Sequence, residues 1–286
     1  MDAADRSLTG PDPAPGFLRK TIPAPLKRVV RKALRLVSDR VTRIDRELIA
    51  RKYLRGHGLE IGALHAPLPV PRSARVRYVD RMSRRDLLRQ YPELARRRVV
   101  ETDIIDDGEH LSSIADSSQD FLIANHFLEH CENPLLTLRN MMRVLKPGGI
   151  LYLTVPDKRF TFDRRREVTP REHLIRDYEE GPSWSRRQHF ADWVRHVQGV
   201  EDPLQAERNV RELEETGFSI HYHVWTQREI LDLLELLRER LGLKLDLELF
   251  LKHGQECILI VRKLPPASDE RPVGNSSASA EGFHRE

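Results

Sequence analysis

Five short β-type runs, set between helix-like stretches, constrain this chain more than any other feature of its sequence. They are Leu59–Ile61, Arg75–Asp80, Val99–Thr102, Phe121–Ala124 and Ile150–Val155. Between the second and third, Ser83 and Asp86 are spaced as a capping box for a helix through Leu87 and Leu88. Between the fourth and fifth, Asn133 stands as a cap with Pro134 at the first helical position, and the helix runs to about Val144. Lys146-Pro147-Gly148-Gly149 stops it. Strands alternating with helices predict a parallel sheet covered on both faces. Further on, Thr226 and Glu229 open a helix with Ile230, Leu233, Leu234 and Leu237 on one face. Leu245 to Leu249 and Cys257 to Val261 then read as a closing hairpin. The expected fold class is α/β: a doubly wound, mostly parallel sheet with an antiparallel closing strand.

The flanks carry other signals. Residues 1–25 hold five prolines without periodicity and read as a disordered lead-in; 265–286 is a Ser-, Pro- and Glu-rich tail of the same kind. Within 26–55, Val30, Leu34, Val37, Val41, Ile44 and Leu48 recur at three- and four-residue steps among arginines, which predicts a basic amphipathic N-terminal helix. That helix either packs on the domain, lies over a ligand or touches a membrane surface peripherally. The main domain spans about 56–264, with an inserted cap at about 157–221, where the pattern turns irregular, charged and aromatic.

Composition narrows the partners. The 286 residues contain no apolar run near the roughly 20 that a membrane span requires, and the N-terminus lacks the apolar core of a secretory signal. Cys131 and Cys257 form neither a disulfide framework nor a zinc spacing, so a cytoplasmic location is expected. A net charge of +4 on a chain with 32% charged residues does not demand a polyanion. The aromatics are not interleaved with a basic stripe, so nucleic acid is a minor option.

Chemistry concentrates after the first strand and from Asp120 to Asp157. The first stretch is Gly58-Leu59-Glu60-Ile61-Gly62-Ala63. The second comprises Asp120-Phe121-Leu122-Ile123, Leu128-Glu129-His130, Asn133-Pro134, Arg143-Val144-Leu145-Lys146-Pro147-Gly148-Gly149 and Val155-Pro156. In this order they resemble the "type 11" group of class I S-adenosylmethionine-dependent methyltransferases. The resemblance covers 58–157 well and continues more weakly through His223-Val224-Trp225-Thr226. It implies a Rossmann-like sheet with a reversed last strand, S-adenosylmethionine as cofactor, and methyl transfer to oxygen or nitrogen of a small-molecule or glycan-type acceptor.

The resemblance also assigns residues. Glu60 anchors the first turn or meets the methionine ammonium, and Gly62 with Ala63 passes close to the ligand, where a residue without Cβ is required at the glycine. Asp80, twenty positions after Glu60, is placed to accept both ribose hydroxyls, with Arg81 beside it; otherwise it caps a turn. Asp103 is the corresponding candidate for the adenine amino group, in competition with Asp106 and Asp107. Asn125 and His126 follow the fourth strand, and His126 faces either the sulfonium and acceptor or a helix cap. Candidate general bases are His126, Asp157, His221 and His223. His130 reads as structural.

The chain departs from the family at Leu64 and Ala66, where further glycines are usual, and Pro67, Pro69 and Pro71 obstruct the helix that normally follows. A dinucleotide needs its pyrophosphate on that helix N-terminus, whereas S-adenosylmethionine has no phosphate. The same departure motivates the alternative of a catalytically inactive S-adenosylmethionine-binding or scaffold module. Arg159, Arg164, Arg165 and Arg166 read as an anion-binding set or as a solvated charge run. His173, Asp177, His189 and Asp192 can be drawn as a metal set, the first two at helical i, i+4 spacing, but without a further ligand signature no metal is expected.

Overall fold

A mixed sheet of seven strands runs through the molecule in the order β3-β2-β1-β4-β5-β7-β6. In this computed structural model, which describes residues 44–266, the strands are β1 (Gly56–Ile61), β2 (Ala74–Asp80), β3 (Ile104–Ile105), β4 (Gln119–Asn125), β5 (Leu145–Pro156), β6 (Leu245–His253) and β7 (Glu256–Lys263). The first five are parallel to one another, and β7 runs antiparallel to both β5 and β6. The helices are α1 (Arg46–Tyr53), α2 (Arg84–Gln90), α3 (Pro134–Val144), α4 (Arg171–Glu180), α5 (Arg186–His196), α6 (Pro203–Thr216) and α7 (Gln227–Glu239).

Alternation along β4 divides the core. Leu122 and Ala124 point to one face, with Leu59, Ile61 and the buried sides of α3 and α7. Phe121 and Ile123 point to the other, with Ile150, Tyr152, Ile258 and Ile260. No helix joins β1 to β2: the prolines leave 62–73 as coil, and its Leu68 packs on the second face. Ile49, Ala50 and Leu54 of α1 and the residue after it cover the same face. Of the expected N-terminal helix, the described residues hold the stretch Arg46–Tyr53. Its predicted stripe is corrected there, because Leu48 is 48% exposed while Ile49 and Ala50 are buried. Residues 1–43 and 267–286, with the lead-in, most of the basic helix and most of the tail, lie outside the described residues.

The capping signals hold. Ser83 accepts from Asp86 N–H, Asn133 from Leu136 N–H, and Thr226 forms its reciprocal box with Glu229. The third strand is displaced from its expected position. Val100 N–H is drawn to Leu64 O at 2.8 Å, so Val99–Thr102 runs along the first loop instead of along β2. Pairing with β2 starts only where Asp103 N–H meets Tyr78 O, and the strand is Ile104–Ile105.

Between β5 and α7 the chain builds α4, whose Leu174 joins the main core, and then α5 and α6 around a small core of their own, Phe190, Val194, Val210, Leu213, Ile220 and Tyr222. Among the described residues no helix is long and apolar enough to cross a membrane.

Candidate active site at the carboxyl edge of the sheet

The parallel strands β1, β2 and β4 end side by side, which brings Glu60, Asp80 and Asn125 to one edge. Glu60 is almost wholly buried and its carboxylate turns back to accept Leu68 N–H at 2.9 and 3.2 Å. It therefore ties down the loop that replaces the missing helix. Burial pushes its carboxyl up to about 7, against the opposing pull of the Leu68 N–H, the Asn125 amide and the Arg46 charge.

Gly62 takes φ +62°, and a Cβ there would meet nothing closer than 3.7 Å, so the glycine is required by the turn and not by space. Leu64 adopts φ 47°. Backbone that glycine usually supplies is here imposed on a leucine, at a cost of roughly 1 kcal/mol. Three contacts hold it: Gly62 N–H to Val79 O, Ala66 N–H to Ala63 O, and the Val100–Leu64 bond.

Asp80 ends β2 half-buried, and desolvation raises its carboxyl although the N–H groups of Arg81 and Met82 donate to it. A carboxylate offers about four acceptor positions, so two stay open for a pair of hydroxyls. The Arg81 guanidinium points away and donates to Tyr91 Oη at 3.1 Å. Asp103 sits at the start of β3, not its end, and accepts Tyr78 N–H at 2.8 Å, which removes it from the ligand edge. The residue after β3 is Asp106, whose carboxylate is spent on Ser113 N–H, Ser113 Oγ and Asp107 N–H. Asp107 is exposed and carries His110 at 2.7 Å. At Gly108 a Cβ would lie 2.5 Å from the Phe127 ring and 2.7 Å from Ile61, so this loop closes over Phe127 only because the residue is glycine.

At the end of β4, the Asn125 amide is buried, with the Glu60 carboxyl as its polar neighbour. His126 adopts φ 49°. Its Nε2 lies 2.6 Å from Glu256 and its Nδ1 3.3 Å from Glu129. Although desolvation works against the charge, these two carboxylates raise His126 to about 9. It is an imidazolium at neutral pH and cannot serve as the general base. Glu256 also receives Arg46 and has His253 at 3.4 Å, and it falls to about 2 despite its burial.

Removing this anion has a definite expected result. In Glu256→Gln, the imidazole of His126, left with Glu129 alone of the two carboxylates, should titrate clearly below 9, followed by NMR. The raised value in the folded state contributes stability below about 6.5 that is lost as the pH climbs through 9, so the variant should show a smaller alkaline loss of stability. Its overall cost should be about 2 kcal/mol, less than for a fully buried pair because Arg46 and His126 are partly solvated. An unchanged His126 titration would contradict this account.

Asp157 is wholly buried under Arg159, which donates from Nε and Nη2 at 2.9 and 2.6 Å. Burial works to raise the carboxyl, but that guanidinium holds it below the usual range. Arg166, also buried, bonds Asp163, Asp192 and the carbonyls of His221 and Tyr222. Of the four arginines expected to meet an anion, Arg166 is therefore an internal strut and Arg159, itself exposed, is paired with Asp157; Arg164 and Arg165 stay exposed. His223 is buried completely among His173, Asp177 and His189, away from solvent, which opposes its role as a base. Asp192, drawn to Arg166, stands outside that group. His130 Nδ1 meets Ile220 O and Ser219 Oγ, as a structural residue would.

His221 is also largely buried, at 8% exposure, but is arranged differently. Its Nδ1 is 2.7 Å from Asp163 Oδ2, and its ring lies against Phe162, which is 55% exposed. The carboxylate can only accept, so the proton is on Nδ1 and Nε2 keeps the lone pair. Tyr222 N–H bonds Glu129 O at 2.8 Å, which sets this segment beside the turn that follows β4. Asp163 and Glu256 carry no motif signal, and pairings over 58 and 130 residues leave no trace in local spacing.

Parallel β1 to β5, an antiparallel β7 between β5 and β6, and a carboxylate ending β2 define a class I methyltransferase type of fold. Residues 59–153 match the family model described as a methyltransferase domain. The chain carries an S-adenosylmethionine-dependent methyltransferase domain. A search of curated proteins returned no match. Among solved structures, the carbon methyltransferase CurJ aligns at 15% identity over 74% of this chain and 50% of its own, with a TM-score of 0.39. A Methanosarcina mazei S-adenosylmethionine-dependent methyltransferase aligns at 22% over 77% and 99%, TM-score 0.39. A Rhodobacter sphaeroides protein titled a zinc-dependent alcohol dehydrogenase aligns at 15% over 78% and 91%, TM-score 0.49. This chain thus spans half the length of the first of these.

The site suits that cofactor. The open positions on Asp80 match a ribose diol, and the Asn125 amide ends the neighbouring strand at the same edge. The coil after β1 presents no helix N-terminus to a pyrophosphate.

Proposed function

We propose that this domain methylates an oxygen or nitrogen of a small-molecule or glycan-type acceptor, with His221 as general base, in a cytoplasmic setting. The observation that carries the reading is the His221–Asp163 pair set beside the partly exposed ring of Phe162. An exposed aromatic ring gives the apolar face of a sugar or a small ring a platform, and Nε2 beside it can take a hydroxyl or amine proton. Asp163, braced by Arg166 at 3.0 Å, fixes the tautomer and stabilises the imidazolium that forms.

When bound, S-adenosylmethionine supplies an electrophilic methyl group on a sulfonium sulfur. Asp80 would hold the ribose, the turn at Gly62 and Ala63 would border the amino-acid end, and Asn125 would lie by its charged groups. The chain's remaining task is alignment of the acceptor and removal of its proton.

Two experiments test this. Calorimetry with S-adenosylhomocysteine should give stoichiometric binding, weakened at least tenfold in Asp80→Ala through loss of charge-assisted hydrogen bonds. Absence of binding by the intact chain would overturn the cofactor assignment. Radiolabelled S-adenosylmethionine, incubated with fractionated metabolites and glycans of the source cell, should label a hydroxylated or amine-bearing fraction. The inactive-module reading draws support from the strained Leu64 and the missing helix; it predicts bound cofactor with no label transferred.

A further inference from the structure

We infer that His173, Asp177, His189 and His223 form a buried zinc site that pins the inserted segment to the methyltransferase core. One ligand atom from each of the four lies within 4.8 Å of all the others. His173 Nε2 is 3.1 Å from His189 Nε2 and 3.2 Å from Asp177 Oδ2. Metal–nitrogen and metal–oxygen bonds of about 2.1 Å in a tetrahedron put neighbouring ligand atoms about 3.4 Å apart, close to both separations.

Hydrogen bonding alone does not satisfy this group. A single proton can be shared between the two facing Nε2 atoms. That leaves His223 Nδ1 buried without a hydrogen-bond partner, and Asp177 Oδ2 buried with no well-aligned hydrogen bond, its neighbours being His173 Nε2 at 3.2 Å and His223 Nε2 at 3.7 Å. Such an orphan costs roughly 1–3 kcal/mol. One dipositive ion would engage the imidazole lone pairs and the carboxylate together.

The surroundings are those of an oriented ligand set. Ser185 Oγ donates to Asp177 Oδ1 at 3.1 Å, fixing the carboxylate with its other oxygen turned inward. His223 Nε2 is 3.2 Å from Glu132 O, an acceptor only, so that nitrogen carries the proton and Nδ1 keeps its lone pair. Asn133 Nδ2 holds the Asp177 carbonyl at 2.7 Å. Outer partners of this kind fix tautomer and ring orientation in metal sites. Three imidazoles and a carboxylate suit zinc among the common divalent ions, and four protein ligands describe a closed, structural site.

The ligands come from three places: α4 gives His173 and Asp177, α5 gives His189, and the segment leading into α7 gives His223. An ion there would hold that segment, two residues from His221, independently of what the acceptor is.

The test uses the tag-free full-length chain, stripped with a chelator and then titrated. Zinc should bind at about one equivalent, survive desalting and raise Tm by at least about 5 °C. Cobalt(II) in its place should give the intense visible bands of a four-coordinate ion. His189→Gln and Asp177→Asn should lose that equivalent and the shift. Wild-type chain without zinc after desalting, a weak octahedral cobalt spectrum, or variants that retain the metal would each overturn the site. If circular dichroism finds a variant unfolded, the wild-type stoichiometry and cobalt spectrum decide.

Discussion

Replacing His221 with glutamine is expected to lower kcat by about 100- to 10,000-fold, the span that a positioned general base supplies. Glutamine can still donate to Asp163, so the buried Asp163–Arg166 pair stays closed while the basic nitrogen is lost. Binding of S-adenosylhomocysteine should change less than threefold, because the cofactor residues sit at the ends of β1, β2 and β4. His221→Ala with added imidazole gives a second readout: partial rescue is expected from a lost base and not from a lost packing contact. His126→Gln makes the contrast, since an imidazolium held between Glu129 and Glu256 has no lone pair to use. Asp163→Asn is a poorer probe, because it strips Arg166 of a buried partner and destabilises the segment by itself. Full turnover by His221→Gln would end the proposal for this residue.

Local chemistry and long-range chemistry were legible to different degrees. The runs that became β1, β2, β4 and β5, and the caps at Ser83, Asn133 and Thr226, are set by neighbours within a few residues, and sequence displays them directly. Asp80 and Asn125 could be placed because a parallel strand delivers its last residue to the ligand edge. The third strand could not, because it has two residues and its approach is decided by a bond from Val100 to the first loop. Gly58 was visible as a glycine but not as a necessity. Its missing Cβ would fall 2.4 Å from Phe121 O, where β1 and β4 pair. The histidines were the hardest. His126 reads alone as a plausible base, and Glu129 together with Glu256, brought across the sheet by the β5–β7 pairing, makes it a cation. His223 reads as a post-sheet residue, and only the folding of α4 and α5 against it completes the group with His173, Asp177 and His189.

Trp225→Ala should remove about 3–5 kcal/mol of stability, among the largest losses available to one side chain here. The indole is fully buried in the main core, with Ile230 and Leu233 of α7 in the same cluster. Its ring stacks on His223 at 5.8 Å and 19°. Its backbone joins the two halves of the molecule's chemistry: it bridges to Asp157 beyond β5, and its carbonyl accepts Lys158 N–H at 2.9 Å. Truncation opens a cavity between the sheet and the inserted segment, and backbone on both sides is already tied, so little collapse is available. For a body of this size the loss corresponds to a fall in Tm of roughly 8–15 °C, read by far-ultraviolet circular dichroism. Trp225→Phe separates packing from polarity. The indole Nε1–H is buried without a partner, so phenylalanine loses volume but also removes an unsatisfied donor. Its cost should be about 1–2 kcal/mol, well under half that of alanine. An alanine variant within about 1 kcal/mol of wild type would mean that this joint carries little load and that the inserted segment is held elsewhere.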